Sequence, residues 1–446
     1  MAVAGNEALE GAERERPSLR RSFRSLETPA YRSWFYSQVL SASGTMTQGV
    51  AISWLLLRLT GNGVDLGLLT ACTFLPSLLL GPYAGALVDR VDRRKLLIIT
   101  QALLLLFAAA TAAVIAAGAV QAWMLFVVSA LTGTVAAPDG TARQVYVIDL
   151  VGTERVASAV SLYEVILNVS RVAGPALGGV LLATAGAGAC CAVNAASYGA
   201  PLIVLLLHKP AYVTALSGAA AARKGKTFAD LRAGLRYARR HRPILVCLFL
   251  AAASGMLFSL GVSLPVFATR VFHLGGGGYG LMMAAFGVGA LPGALLASAG
   301  PSRPSGRRVG GLALVTAAAV LGTALAPVAW MAFAGLAVVG CVSIWFIAAA
   351  NTFVQLAADP GMRGRMMGLW TMALPGSNPV TGPSVGWVTQ YVGSREGFGL
   401  AGLALAVVAS AGWRALGWRP APAVLDPLGH RENESRGVHA FRTLAR

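Results

Sequence analysis

Apolar residues run along this chain in blocks separated by short polar, charged or glycine-rich breaks. Many blocks reach the roughly 17–25 residues that a helix needs to cross a bilayer. Twelve such blocks can be drawn, at about 34–59, 66–88, 96–117, 122–142, 157–183, 189–207, 243–268, 279–299, 309–326, 329–350, 366–391 and 398–418. They predict an all-α membrane protein of twelve transmembrane helices, with both ends of the chain on one side.

Composition agrees with the pattern. Over 446 residues, 56% are hydrophobic and 12% charged, with a mean hydropathy of +0.65. That balance excludes an ordinary soluble domain. Charge then orients the spans. Of 36 Lys and Arg, 32 fall before Trp34, in 88–95, 143–156, 208–242, 300–308 and 363–365, or from Arg414 onward. Those segments alternate onto one face, so the positive-inside rule puts them and both termini in the cytoplasm of a cell-membrane protein. The formal net charge of +18 is thereby explained as topology, and no nucleic-acid partner is implied. Residues 1–33 mix Glu and Arg without an apolar core and read as a mobile tail, neither signal peptide nor domain, with a second tail at 419–446. Cys72, Cys190, Cys191, Cys247 and Cys341 lack metal-ligand spacing, and the five histidines do not cluster. No metal or cofactor is expected. There is also no nucleotide-binding sequence and no nucleophile–base set of an enzyme.

The chain divides into bundles at 34–208 and 243–418, joined by a linker at 209–242. The linker places Phe228, Leu231, Leu235 and Ala238 at helical spacing, with Arg232, Arg236, Arg239 and Arg240 largely elsewhere on the wheel. Two readings stand: a basic helix lying along an anionic membrane surface, or a solvated connector. The halves repeat. At an offset of 213, Gly67-Leu68 meets Gly280-Leu281, and Arg90, Arg94 and Lys95 meet Arg303, Arg307 and Arg308, while Asp89 meets Ser302. Near an offset of 208, Gly174-Pro175 and Gly178 meet Gly382-Pro383 and Gly386. Two pseudo-symmetric six-helix bundles with a path between them account for this.

Few polar residues interrupt the spans. Glu164 is the one acid placed well inside, and Asn168 and Arg171 follow it at i+4 and i+7, on a face shared with Gly178 that should point to the central cavity. Glu164 is either a proton carrier or half of a fixed bridge to Arg171. Gln48, Trp54, Tyr163, Asn168, Asn194, Tyr198, Trp345 and Asn378 are candidates to line the cavity, where scarce charge favours a neutral, amphiphilic or weakly cationic solute.

The turn after the second span reads Gly85-x-x-x-Asp89-Arg90-x-x-Arg93-Arg94, and the fifth span holds Arg171-Val-Ala-Gly174-Pro175-Ala-Leu-Gly178-Gly179. With Ser53-Trp54 through Leu59-Thr60-Gly61, these stretches make the chain resemble the major facilitator superfamily, in its branch of small-molecule and siderophore exporters. The resemblance covers nearly the whole chain. Asp92 stands where that family often has glycine, and Ser161 and Ser170 replace glycines before the fifth-span motif. It implies a conformational latch of Gly85, Asp89, Arg90, Arg93 and Arg94. In that latch Asp89 docks on the N-terminus of the eleventh helix near Arg363 when the cytoplasmic side is shut, or else pairs with Arg93 in a solvated turn. Asp139, Arg143 and Asp149 extend the network. It also implies that Gly174, Pro175, Gly178 and Gly179 are either the packing motif of a proton antiporter or packing alone. The expected function is proton-coupled efflux of small amphiphilic compounds by a monomer whose halves rock. The alternatives are an importer of the same fold and a membrane sensor that has lost transport.

Overall fold

The computed structural model describes residues 24–152, 155–208, 227–301 and 303–417. In chain order its helices are α1 (Pro29–Thr60), α2 (Gly63–Val88), α3 (Arg93–Ala116), α4 (Ala122–Val151), α5 (Val156–Thr184), α6 (Gly186–Leu207), α7 (Thr227–Arg240), α8 (Arg242–Phe258), α9 (Leu260–Phe272), α10 (Gly276–Ser298), α11 (Gly306–Ala324), α12 (Ala329–Ala357), α13 (Arg363–Ala373), α14 (Asn378–Tyr391) and α15 (Ser394–Leu416). The first six are the first six spans, α7 belongs to the linker, and α8 to α15 supply the other six spans. Eight of these helices are long and apolar enough to cross a membrane on their own.

Local chemistry sets the ends. Pro29 sits in the first turn of α1, where its missing N–H costs nothing, and Gly61 closes the helix at φ 64°. Asp92 caps α3, accepting a hydrogen bond from the Lys95 N–H at 3.1 Å. That capping bond accounts for an acid where the family pattern favours glycine. Its repeat partner Ser305 caps α11 in the same way, accepting from the Arg308 N–H at 3.3 Å.

Several boundaries differ from the sequence reading. Residues 24–33, assigned to a tail, belong to the first bundle. Tyr31 and Trp34 are buried, the Tyr31 hydroxyl donates to the Ala159 carbonyl at 3.2 Å, and Ser25 Oγ donates to the Arg155 carbonyl at 3.0 Å. Aromatic anchors thus extend α1 beyond its apolar block. The seventh span, drawn as one helix, breaks at Ser259. The eleventh breaks at a 3-10 turn, Pro375–Ser377, because Pro375 cannot donate back to the Thr371 carbonyl. In the linker, α7 turns 115° into α8. Ala238 and Gly234 are buried against the second bundle, and the Tyr237 hydroxyl accepts from the Asp359 N–H at 3.1 Å. Leu235 and the four arginines stay exposed, and the Phe228 side chain lies outside the described residues. Gly234 allows the close approach, since a Cβ there would lie 3.3 Å from Leu369 and Met366 side-chain carbons.

Within the first bundle α2 packs on α4, α3 on α6, and α1 between α5 and α6; in the second, α10 packs on α12 and α11 between α12 and α15. The bundles meet along two seams, α2 against α14 and α5 against α10. Both are glycine on glycine. A Cβ on Gly67 would lie 2.6 Å from the Gly382 carbonyl oxygen and 2.7 Å from Pro383 Cα, and one on Gly179 would lie 2.9 Å from Gly280 Cα. In hydrocarbon, where apolar side chains gain little by leaving lipid, such backbone contact supplies the packing that joins helices. Gly67 and Gly280 are repeat partners, so the two seams are versions of one joint. Both lie toward the face remote from the charged turn between α2 and α3. We call these the sealed face and the basic face. An apolar cluster closes the sealed side, with Ile52, Leu56, Leu66 and Leu69 of the first bundle against Val262, Val266 and Val385 of the second.

Replacing Gly280 by Val should wedge the α5–α10 seam apart at the sealed face. In a cysteine-free background carrying Val385→Cys, labelling by a membrane-impermeant maleimide is expected to rise several-fold over the same reporter with Gly280 intact. Unchanged labelling would show that the seam tolerates the added methyls.

Candidate transport pathway and its gates

The sealed face is closed by more than glycine. Trp54 of α1 stacks on Tyr279 of α10, with ring centroids 6.3 Å apart and planes within 18°. Arg270, at the end of α9, donates to the Gly61 carbonyl and to Gln390 Oε1, each at 2.9 Å, and the same Gln390 oxygen accepts the Gly63 N–H at 2.9 Å. One guanidinium and one amide thus tie the α1–α2 turn to α9 and α14. Trp54, expected in the cavity, is a gate residue, because it lies at the end of α1 where the bundles touch. Arg270 and Gln390 were not singled out from sequence. The available signal was that Arg270 is one of the four basic residues outside the segments that alternate onto the basic face.

At the basic face the motif residues divide. Arg93 donates from Nη1 to both carboxylate oxygens of Asp149 in α4, at 3.0 and 2.9 Å. Arg94 donates to the carbonyls of Leu205 and Leu206 at the end of α6, at 2.7 and 3.1 Å. These two arginines fasten the start of α3 within its own bundle. The alternative pairing of Arg93 with Asp89 is not formed, since the Arg93 guanidinium is engaged through Nη1 by both oxygens of Asp149. Asp89 and Arg90 are exposed, Gly85 is half-buried, and the Asp89 carboxylate has no partner among the described residues. Arg363 donates to the Ala358 carbonyl at 3.4 Å inside the second bundle.

A buried charge pair lies deeper in the first bundle. Asp139 and Arg143, one turn apart on α4, form a salt bridge at 2.6 Å, with side chains 4% and 20% exposed. Thr100 and Gln101 of α3 donate to Asp139 Oδ1 at 2.7 and 2.8 Å, and Arg143 donates to Gln38 Oε1 at 2.8 Å. A charge this far from water persists only when its remaining lone pairs are satisfied. Thr100 and Gln101 satisfy Asp139, while Arg143 Nε, Gln38 Nε2 and Gln101 Oε1 are buried without a partner among the described residues, and nothing in the local sequence marks these residues for that cluster.

Helix α5 has two working sides. Gly174 and Gly178 pack on α1: a Cβ on Gly174 would lie 2.7 Å from the Ser43 carbonyl oxygen, one on Gly178 3.3 Å from that of Thr47, and Thr47 Oγ1 donates to the Gly174 carbonyl at 2.8 Å. Pro175 and Gly179 face α10, where a Cβ on Gly280 would lie 3.1 Å from the Pro175 carbonyl oxygen. The Arg171 carbonyl abuts Gly287 on the same side. So the face of Glu164, Asn168 and Arg171 continues through Gly179 rather than the expected Gly178. Arg171, Pro175 and Gly179 follow at i, i+4 and i+8 along one row of the helix, and Gly174 and Gly178 form the adjacent row that meets α1. Toward the basic face Tyr163 and Glu164 become exposed. Asn168 Nδ2 donates to the Glu164 backbone carbonyl at 2.9 Å, and Arg171 reaches Asn168 Oδ1 at 3.4 Å. Among the described residues no ion pair joins Glu164 to Arg171, so the fixed bridge is not formed here.

Of the other candidates, Gln48, Asn194 and Tyr198 converge on one cavity of about 220 Å³ between α1, α2, α4 and α6. Trp345 does not join them. It lies beneath the Arg308 guanidinium, 5.4 Å from the ring centroid, at the basic end of the second bundle, because its side of α12 faces α11. Asn378 is buried where α14 restarts after the break, and its Oδ1 has no partner.

Two six-helix bundles joined by glycine seams and sealed at one face define a membrane transporter of the major facilitator type and not an enzyme. The chain belongs to the family described as transmembrane secretion effector, whose model it matches over residues 21–417. It is 28% identical to the staphyloferrin A transporter of Staphylococcus aureus over 54% of this chain, a match that spans only 59% of that relative. It is 27% identical to the multidrug efflux pump Tap of Mycolicibacterium fortuitum over 75% of this chain and 83% of the pump. The enterobactin exporter EntS of Citrobacter koseri is 27% identical over 80% and 83% of the two chains. Among solved structures, the nucleoside transporter NupG superposes at a TM-score of 0.69 with 14% identity, covering 87% of this chain and all of that one. A bacterial homologue of the lysosomal transporter Spinster gives 0.66 with 15% identity over 91% of this chain and all of that one.

Asp139→Asn should destabilise the first bundle by about 3 kcal/mol, by stranding Arg143 in the interior. A thermal-unfolding series in detergent checks this. The double variant with Arg143→Met should recover part of the loss, and an additive double variant would show that the two residues act separately.

Proposed function

We propose that this transporter is a proton-coupled exporter of small amphiphilic compounds, acting as a monomer in the cell membrane by alternating access. The observation that carries the reading is the Glu164 carboxylate. It is exposed inside a span, without an ion-pair partner among the described residues, on the side of α5 that becomes the inter-bundle seam. A carboxylate so placed takes up a proton when the seam shields it and releases it when water reaches it. The multidrug and siderophore relatives support efflux as the direction, and the uncharged cavity supports an amphiphilic cargo.

With the basic face taken as cytoplasmic, on the positive-inside rule, the state described here is sealed to the outside and has Asp89 exposed to the inside. Rocking the bundles the other way brings the end of α2 toward the start of α13, where free N–H groups favour the Asp89 carboxylate. Opening the sealed face then requires Arg270 to leave Gly61 and Gln390. The linker helix α7, packed on α13 and α8, moves with the second bundle.

Everted vesicles under an imposed proton gradient, screened with a panel of amphiphilic drugs and siderophores, test this. Wild-type protein should move at least one compound in proportion to the gradient, and Glu164→Gln should lower that flux at least about 10-fold while binding persists. Flux that survives the substitution moves coupling elsewhere, uptake in place of efflux makes the protein an importer, and binding without flux makes it a sensor.

A further inference from the structure

The cavity of the first bundle has a hydrogen-bonding polarity that can be read from its walls. Among the described residues none that lines it is charged; the polar ones are hydroxyls and the amides of Gln48 and Asn194, set between Ile52, Leu69, Phe74 and Val128. Most of the protons are already spoken for. Thr45 Oγ1 donates to the Ser41 carbonyl at 2.9 Å, so in its 3.0 Å contact with the Tyr198 hydroxyl the tyrosine is the donor. Thr70 and Thr73 donate to the Leu66 and Leu69 carbonyls one turn back, at 3.1 and 2.9 Å.

The amide chain fixes what remains. The one Ser197 hydroxyl proton is shared between the Asn194 carbonyl at 2.8 Å and Asn194 Oδ1 at 3.1 Å, and the Asn194 amino group faces Gln48, where Nδ2 donates to Gln48 Oε1 at 2.6 Å. With its oxygen taken, Gln48 presents Nε2 to the cavity. That nitrogen has no protein partner among the described residues, although Gln48 is only 8% exposed. An amino group open to the cavity on an otherwise buried side chain, and unsatisfied by protein, is a recognition element. It sits near the middle of α1, and at Ser53 the cavity borders the second bundle, where a Cβ on Gly261 would lie 3.3 Å from Ser53 Oγ.

We infer that this cavity binds the uncharged end of the cargo, with the Gln48 amino group donating to a carbonyl or ether oxygen, and that it rejects permanent cations. A permanent cation entering here sheds its water with no carboxylate on the wall to replace it, and meets the positive end of the Gln48 amide dipole. An amide, ester or ether on an apolar body satisfies the amino group and fills the apolar wall. The inference rests on the exporter reading for its biological sense, but its test does not depend on flux.

Binding to purified protein in nanodiscs, by calorimetry, would use chloramphenicol and linezolid as uncharged acceptor-bearing probes and tetraphenylphosphonium as a permanent cation. Wild type should bind at least one uncharged probe at least about 10-fold more tightly than the cation, roughly one well-made hydrogen bond. Gln48→Leu should weaken that probe by a similar factor. Gln48→Glu is close to isosteric and puts a negative charge at the same point, so it should tighten tetraphenylphosphonium binding about 10-fold or more, a gain that misfolding cannot imitate. Equal wild-type affinity for the cation, an uncharged probe indifferent to Gln48→Leu, or no binding of either uncharged probe would overturn the inference. Failure of gradient-driven flux with the binding pattern intact would instead overturn the exporter reading alone.

Discussion

The contact on which the rest of this molecule depends is backbone against backbone between its two halves, Gly67 on Gly382 and Gly179 on Gly280. Two helix bundles in a membrane have almost no hydrophobic force holding them together, because lipid solvates their apolar faces as well as protein does. They need dense packing that can still be undone. Glycine seams supply both properties, since backbone atoms meet closely at the sealed face without interlocking side chains that a rocking motion would have to extract. Arg270 and Gln390 add a few directed hydrogen bonds, and Trp54 on Tyr279 adds one flat stacked surface. Each of these closures can separate without tearing a bundle.

Charge is used sparingly and mostly inside each half. Arg93 and Arg94 staple the start of α3 to the ends of α4 and α6, and the Asp139–Arg143 pair ties α3, α4 and α1 through hydrogen bonds to Thr100, Gln101 and Gln38. Breaking any of these during transport would strand a buried ion, so they belong to the rigid part of the cycle. Asp89 and Glu164 are the contrast. Among the described residues their carboxylates have no ion-pair partners, and both are exposed.

The shared signature of the two halves hides different uses. Gly174 and Gly178 hold α5 to α1 within one bundle, while their repeat partners Gly382 and Gly386 hold α14 to α2 across the seam. The capping pair Asp92 and Ser305 kept one job in both halves, because a cap answers only to its own helix. A packing glycine answers to whichever neighbour the tertiary arrangement brings, and that neighbour differs between the halves. Gln48, Asn194 and Tyr198 were legible as candidates because polar residues inside apolar spans are conspicuous. Trp54 and Trp345 were legible as aromatic, but their rings went to a gate and to an arginine.

Taken alone, the sequence determined the class: blocks of apolar length, one-sided basic segments, a duplicated pattern and the turn from Gly85 to Arg94 left room for a twelve-helix transporter of two related bundles. These signals are local or periodic, and hydrocarbon enforces them residue by residue. Only the tertiary structure decided which face is sealed, that the seventh and eleventh spans are broken, that Arg270 and Gln390 tie the two bundles together there, and that Gln48, Asn194 and Tyr198 meet at one cavity. Each of those facts depends on residues far apart in the chain meeting at hydrogen-bond or backbone distance, and spacing along one strand of sequence carries no record of such meetings.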